Sequence, residues 1–178
     1  DCADDEIVFA GVKPSAVAAH LKGQTVRAAC RRGKYMWLDL PKGPHPMFHF
    51  GMTGRFHVKG EDAIELETGP KVDSTIWPPR FSKIEITMED GVQLSMTNPR
   101  RFGRIRLLED PLNKGPISKL GFDPFLAMPS AKAFEKLVLA RKTTVKGLLL
   151  NQAFAAGGGN WIADEVLYRA ERAPTRRA

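Results

Sequence analysis

The apolar positions in the first part of the chain follow the period of β-strands. Residues 84–88 and 92–96 alternate apolar and polar side chains, and a Glu-Asp-Gly turn separates them, which predicts two strands joined by a tight turn. Residues 35–40 and 47–58 are rich in aromatic and branched side chains, and Pro and Gly lie between them, which predicts a hairpin. The first hundred-odd residues are therefore predicted to be mostly β.

The later part of the chain has helical spacing. An early exception is a short helical pattern that Pro14 opens and Gly23 ends. After residue 111, Ser130 opens a second pattern, and residues 143–156 form a third. Three glycines precede a fourth, in which the apolar residues at 163–170 recur at i, i+3, i+4 and i+7. The chain is therefore predicted to be α+β, with strands first and helices last.

Composition narrows the class of protein. The chain has 178 residues, 43% of them hydrophobic, which is enough for one large or two small globular domains and excludes a disordered or fibrous chain. No apolar run approaches the roughly 20 residues of a membrane-spanning helix, so we expect no membrane partner. The formal net charge of +7 favours a polyanionic partner.

Cysteine and histidine spacing gives no indication of a metal site. Cys2 and Cys30 lie far apart without a Cys-x-x-Cys pair, which argues against a zinc ribbon, a thioredoxin-type site and a disulfide framework. His20, His45 and His57 have no metal-ligand spacing with carboxylates or cysteines. The chain also lacks a phosphate loop and a dinucleotide fingerprint. We predict no metal and no cofactor.

Two polar residues have sequence neighbours that suit contact with a phosphate group. Asn160 follows three glycines at the start of a helical pattern, so it is either an ordinary helix cap or part of a phosphate site at a helix N-terminus. Lys34 ends a basic cluster before a strand, and it is a phosphate contact, an amine for Schiff-base chemistry or a plain surface lysine. Residue types alone leave these alternatives open.

Two loops combine cations or glycines with large apolar side chains. Arg100 and Phe102 lie in a run suited to phosphate contacts and an aromatic wedge, although a solvated loop with a core Phe fits equally well. Met52 lies between glycines, where it either fills a distorted base stack or belongs to the core. His49 is either a phosphate contact or a structural histidine.

Six segments, in this order and spacing, resemble the formamidopyrimidine-DNA glycosylase family, and residues 160–168 look most like its plant and fungal branch. The segments are Arg-Arg-Gly-Lys-Tyr at 31–35, His-Phe-Gly-Met-Thr-Gly at 49–54, Asn-Pro-Arg-Arg-Phe-Gly at 98–103, Leu-Gly at 120–121, the lysine-bounded 142–146, and Gly-x-Gly-Asn-x-x-Ala-x-Glu at 157–165.

The resemblance implies a monomeric base-excision repair enzyme that removes oxidised purines, such as 8-oxoguanine and formamidopyrimidines, from duplex DNA and nicks the strand at abasic sites. It implies a β-sandwich domain over residues 1–112 and a helix-two-turn-helix domain over residues 113–178, with DNA bound between them. The plant-like residues imply a nuclear location.

Carried over by position, the resemblance assigns seven residues. Lys34 matches the family lysine that contacts phosphate and assists catalysis. The residues that match the triad inserted where the damaged base is flipped out are Met52, Arg100 and Phe102. The residues that match contacts to backbone phosphate are His49, Lys146 and Asn160.

The family's N-terminal Pro-Glu-Leu-Pro-Glu, whose proline amine attacks the damaged nucleoside, does not occur in these 178 residues. We therefore expect a fragment that lacks the first helix and strand of the sandwich and ends within the helix-two-turn-helix. The alternative is a catalytically inert module that binds damaged DNA. A helix-two-turn-helix RNA binder is a third hypothesis, in which the Arg100 loop has no role.

Overall fold

A computed structural model of the protein describes residues 1–62, 73 and 76–178. Within these residues a short 3-10 helix, Ile117–Lys119, precedes α2. The helices and strands are, in chain order, α1 Pro14–Leu21, β1 Ala28–Arg32, β2 Tyr35–Asp39, β3 His45–His49, β4 Arg55–Val58, β5 Ser82–Thr87, β6 Gln93–Thr97, β7 Arg104–Leu108, α2 Ala131–Leu139, α3 Val145–Leu150 and α4 Asn160–Arg169.

The chain divides into two compact units. The first contains Asp1–Cys30 and Tyr35–Asp110, and the second contains Arg31–Lys34 and Pro111–Ala178. The sequence did not predict that Arg31–Lys34 groups with the helical unit. The predicted domain boundary between residues 112 and 113 stays a prediction.

The first unit is built from two antiparallel sheets. One has the strand order β1-β2-β3-β7 and the other the order β4-β6-β5. The predicted hairpin of β2 and β3 is confirmed, with Tyr35 opposite His49. The hairpin of β5 and β6 is confirmed as well, with Ile86 opposite Leu94. Both hairpins were predictable because their pattern and their turns are local in sequence.

The prediction of one strand over residues 47–58 is wrong. The segment divides into β3, which pairs with β7 in the first sheet, and β4, which pairs with β6 in the second. Gly51 lies between them with φ of +66°, a left-handed conformation that interrupts an extended chain and that glycine adopts readily. The chain therefore crosses from one sheet to the other at residues 50–54.

The core of this unit lies where the two sheets face each other. Phe48 and Ile105 contribute to it from the first sheet, and Ile84 and Met96 from the second, each at most 2% exposed. Val17 of α1 is fully buried in the same cluster. Apolar side chains on the inner faces of two packed sheets define a β-sandwich. The predicted α+β fold class, with a β-sandwich before the helices, is therefore confirmed.

The second unit is helical, and two of its helices begin at side-chain caps. The Ser130 hydroxyl accepts a hydrogen bond from the Ala133 N–H at 3.3 Å, and the Thr144 hydroxyl accepts one from the Gly147 N–H at 3.2 Å. The predicted third helix was too long, because α3 ends at Leu150. There the Asn151 carboxamide oxygen accepts the Ala153 N–H at 3.0 Å, and this side-chain turn replaces a further helical turn.

The buried side chain of Asn98 fastens two loops of the first unit together. Its Nδ2 donates to the Phe50 carbonyl at 2.8 Å, and its Oδ1 accepts the Gly103 N–H at 2.9 Å. The loops approach so closely that a Cβ on Gly51 would lie 2.7 Å from the carbonyl carbon of Phe102. We call residues 50–54 and 98–103 the paired loops.

We expect Gly51→Ala to destabilise the protein more than Gly60→Ala does. Both glycines have positive φ, but among the described residues a Cβ on Gly60 would meet nothing within 4 Å. Gly60→Ala should cost about 1 to 2 kcal/mol for the backbone conformation alone, and Gly51→Ala about 2 to 5 kcal/mol because of the added clash. Urea unfolding measures both, and equal losses would contradict the close approach of the paired loops.

We expect the free energy of unfolding to fall as the pH drops from 7 to 5. His57 is buried, with its Nε2 3.0 Å from the Thr97 hydroxyl. Burial, and secondarily the charge of Arg55, lowers the pKa of His57 below its ordinary 6.5. The unfolded chain then binds the proton first, so this stability is complete above pH 6.5 and is lost as the pH falls through the folded pKa.

Urea unfolding at several pH values checks this dependence, whose slope for one proton is at most about 1.4 kcal/mol per pH unit. Asp5 and Asp123 act in the same direction but only below their ordinary pKa of 3.8. His57→Gln should flatten the slope between pH 7 and 5, whereas Thr97→Val, which keeps the imidazole, should retain it. An unchanged slope in His57→Gln would assign it to other groups.

Candidate nucleic-acid interface

The paired loops expose two large apolar side chains and one cation. Met52 is 68% exposed and Phe102 is 53% exposed. The guanidinium of Arg100, which is also exposed, lies 5.3 Å from the centroid of the Phe102 ring. The interpretations of Met52 and Phe102 as core residues are therefore wrong. Because Asn98 fastens both loops, the three side chains occur on neighbouring segments of one unit.

His49 supports the turn that carries Met52. Its Nδ1 accepts the Gly51 N–H at 3.1 Å, and its ring lies 4.9 Å from that of Tyr35. With Nδ1 as an acceptor, the proton of the neutral ring lies on Nε2, which is then a donor. The predicted phosphate contact of His49 stays a prediction.

In the second unit, the buried Asp123 holds the segment that carries Lys34. Its carboxylate accepts the Gly33 N–H at 2.8 Å and pairs with the Arg31 guanidinium at 3.1 Å. Burial alone would raise the pKa of Asp123, but the N–H groups of Gly33 and Phe125 and the charge of Arg31 outweigh it and lower that pKa. Asp123 is thus ionised at neutral pH.

The amine of Lys34 lies beside the first residues of α4. A Cβ on Gly159, the residue before the helix, would lie 3.7 Å from the Lys34 Nζ. Lys34 as a residue is exposed, yet desolvation of its amine lowers the pKa of that side chain. A lysine amine next to the unpaired N–H groups of a helix N-terminus is an arrangement that suits a phosphate group.

Asn160 is not the cap of α4, so that interpretation is wrong. Gly159 takes the cap position in an extended conformation, and Asn160 is already the first helical residue, exposed and without a capping hydrogen bond. Its carboxamide is therefore not used to satisfy the helix end. The predicted phosphate contact of Asn160 stays a prediction.

Gln152 fixes the glycine loop before α4. Its Nε2 donates to the Gly158 carbonyl at 2.8 Å and to the Leu150 carbonyl at 3.0 Å, and its Oε1 accepts the Gly157 N–H at 3.0 Å. These bonds hold the loop in one conformation despite its glycines.

Lys146 on α3 forms an ion pair with Asp164 on α4, at 2.6 Å between Nζ and Oδ1. Its side chain is 31% exposed and that of Asp164 is 56% exposed. A phosphate contact by Lys146 stays a prediction, and a phosphate at this lysine would compete with the carboxylate of Asp164.

Sequence reasoning missed the residues that position the loops. They are Asn98, Asp123 and Gln152. Asn98 is the first residue of the Asn-Pro-Arg-Arg-Phe-Gly segment, but its partner Phe50 is 48 residues away. Asp123 lies 90 residues from Gly33, and Gln152 is a glutamine in an otherwise ordinary stretch. Only Asn98 had a local signal, namely the Pro that follows it.

Within the described residues, no helix is long and apolar enough to span a membrane. The same residues contain no group of three or more His, Cys, Asp or Glu placed to hold a metal ion. The cysteines Cys2 and Cys30 are free.

Comparisons with known proteins identify the family over most of the chain. Residues 1–105 match the formamidopyrimidine-DNA glycosylase N-terminal domain, and residues 120–178 match the helix-two-turn-helix domain of the same family. The chain is 41% identical over 176 residues to a formamidopyrimidine-DNA glycosylase of Arabidopsis thaliana, covering 99% of this chain and 45% of that protein. A Syntrophomonas wolfei protein of the same name is 35% identical over 158 residues, covering 89% of this chain and 54% of that protein.

Solved structures share the fold. A Lactococcus lactis formamidopyrimidine-DNA glycosylase in complex with FAPY-dG containing DNA superposes with a TM-score of 0.77 at 22% identity, covering 99% of this chain and 62% of that one. The same enzyme with abasic-site DNA gives a TM-score of 0.77 at 22% identity, over 99% of this chain and 60% of that one. The chain spans about half the length of the curated relatives it matches. Through both matched domains, the chain belongs to the formamidopyrimidine-DNA glycosylase family, as the six sequence segments predicted.

Proposed function

We propose that this protein is a base-excision repair glycosylase with abasic-site lyase activity that acts on oxidised purines, such as 8-oxoguanine and formamidopyrimidines, in duplex DNA. The observation that carries the proposal is the joint exposure of Met52, Arg100 and Phe102 on loops fastened by the buried Asn98. Family membership and the names of the relatives support it.

The paired loops suit an enzyme that takes a base out of the helix. Extruding a nucleotide leaves a gap in the stack and costs a few kcal/mol, which side chains inserted into the gap offset. Met52 and Phe102 supply apolar surface for that gap, and Arg100 supplies a cation beside it. Because the loops are fixed before DNA binds, little conformational entropy is lost on insertion.

A second surface suits the DNA backbone. The Lys34 amine and the first turn of α4 with Asn160 offer a positive charge and backbone donors to a phosphate. We propose His49, Lys146 and Asn160 as further phosphate contacts. Lys34 also assists catalysis in this proposal, since the lowered pKa of its side chain increases the share of free amine.

We also propose that the protein acts as a monomer in the nucleus. The nuclear location rests on the resemblance of residues 160–168 to the plant branch of the family, and the 41% identity to the Arabidopsis relative supports that resemblance.

We expect Phe102→Ala to reduce the preference for a duplex with one abasic site over the unmodified duplex by about fivefold or more, in line with the value of about 1 to 3 kcal/mol for a stacked aromatic, and Met52→Ala to reduce it in the same direction. Fluorescence anisotropy with both duplexes measures the ratio of the two dissociation constants. Val92→Ala is the matched control, because Val92 is 42% exposed on a different turn of the same unit. A loss as large in Val92→Ala would contradict a specific role of the paired loops.

We expect Lys34→Ala to weaken binding to both duplexes alike. Loss of one phosphate contact should make the slope of log affinity against log salt about one unit less steep. Lys132→Ala removes an exposed lysine elsewhere in the same unit and should change the slope less. Equal changes in the two variants would count against a specific phosphate site at Lys34.

Borohydride trapping on the abasic duplex distinguishes between two hypotheses, an enzyme and a catalytically inert binding module. A covalent adduct that Lys34→Ala abolishes and Lys132→Ala retains would assign the reacting amine of this chain to Lys34. No adduct, together with a retained preference for the abasic duplex, would favour the alternative of a catalytically inert damaged-DNA-binding module.

A further inference from the structure

The backbone of the 98–103 loop takes an unusual conformation at Arg101. This residue has φ of +56°, in the left-handed region that side chains other than glycine rarely adopt. It lies between Arg100 and Phe102, whose side chains are exposed and in contact. A strained residue at this position persists only if the surroundings hold it there.

The carboxylate of Asp5 holds Arg101. The Arg101 Nη2 donates to Oδ1 at 2.8 Å, and its Nε donates to Oδ2 at 3.0 Å, which is the two-bond fork that an arginine makes with a carboxylate. Asp5 is 5% exposed, whereas the Arg101 side chain is 48% exposed. The anchor is therefore buried and the anchored residue lies on the surface.

Asp5 is itself fixed by groups outside the loop. Lys83 of β5 donates to its Oδ2 at 2.8 Å, and the Val8 N–H donates to its Oδ1 at 3.2 Å. Burial alone would raise the pKa of Asp5, but its bonds with Arg101, Lys83 and the Val8 N–H hold that pKa far below the ordinary 3.8. The carboxylate is charged at every pH at which DNA would be bound.

We propose that Asp5 is a positioning residue, which holds Arg101 in its left-handed conformation and thereby sets Arg100 and Phe102 for insertion into damaged DNA. The inference rests on the proposed function. The turn at Arg101 directs that residue's side chain to Asp5 while the side chains on either side of it stay exposed. Asp5 thus acts on lesion preference without touching DNA.

Asp5→Asn tests the proposal because its two effects act on different quantities, the affinity for any duplex and the preference for the abasic duplex. Removing a negative charge from a DNA-binding protein by itself strengthens binding to any duplex. Loss of the anchor instead lowers the preference for the abasic duplex over the unmodified one, and we expect that ratio to fall about threefold or more. Glu89→Gln removes a carboxylate charge on an exposed turn of the same unit and should leave the ratio unchanged.

Two further single variants and one double variant distinguish an effect on positioning from an effect on stability. Lys83→Gln removes the other cation that Asp5 binds, while the Val8 N–H and the two bonds from Arg101 still hold the carboxylate, so this variant should lower the melting temperature and keep the ratio. Arg101→Gln should lower the ratio as Asp5→Asn does, and the double variant Asp5→Asn with Arg101→Gln should be no worse than either. If Asp5→Asn does not fold, the ratio in Arg101→Gln is compared with the ratio in Lys83→Gln instead.

The outcomes are distinguishable. An unchanged ratio in Asp5→Asn, or a ratio that falls as far in Lys83→Gln as in Arg101→Gln, overturns the inference and leaves the proposed function standing. A wild-type chain that binds the abasic and unmodified duplexes equally overturns the proposed function, and the inference with it.

Discussion

The two hydrogen bonds of the buried Asn98 side chain are the interaction on which the arrangement of the first unit's exposed residues depends. Both loops that it joins carry the chain from one sheet of the sandwich to the other, because residues 50–54 connect β3 to β4 and residues 98–103 connect β6 to β7. Crossings of this kind leave backbone groups without strand partners. Asn98 satisfies two of them and, in doing so, holds together the two segments that carry the exposed side chains.

Polar side chains also hold the loops of the second unit through backbone groups. Asp123 binds the backbone of the turn that carries Lys34, and Gln152 binds the backbone of the glycine loop before α4. In each case a polar side chain fixes a loop through backbone groups, so the neighbouring exposed residues need no partners of their own to stay in place. Loops fixed before a ligand arrives lose less conformational entropy when they bind it. That property suits recognition of a rare lesion among many normal base pairs.

Sequence reasoning succeeded where the signal is local and failed where it is not. The β5 and β6 hairpin and the Ser130 cap were predictable because pattern, turn and cap lie within a few residues of one another. The break in the predicted strand at residues 47–58 was not, since it depends on Gly51 meeting a segment some 50 residues later, at Phe102 and Gly103. The positions of the candidate site followed from the family resemblance, whereas the roles of Asn98, Asp123 and Asp5 became visible only in three dimensions.

The ion pairs in the structure change what the net charge of the chain implies for DNA binding. The net charge of +7 and the run of arginines from residue 100 suggest many free cations. Arg31, Arg101 and Lys146, however, pair with Asp123, Asp5 and Asp164. A cation that already binds a buried carboxylate releases fewer counterions from DNA than a solvated one, because contact with phosphate must compete with its existing partner. Arg31 and Arg101 therefore help to fix the segments that carry the residues proposed to bind phosphate, and in the proposed function the electrostatic attraction for DNA depends on fewer cations than the sequence indicates.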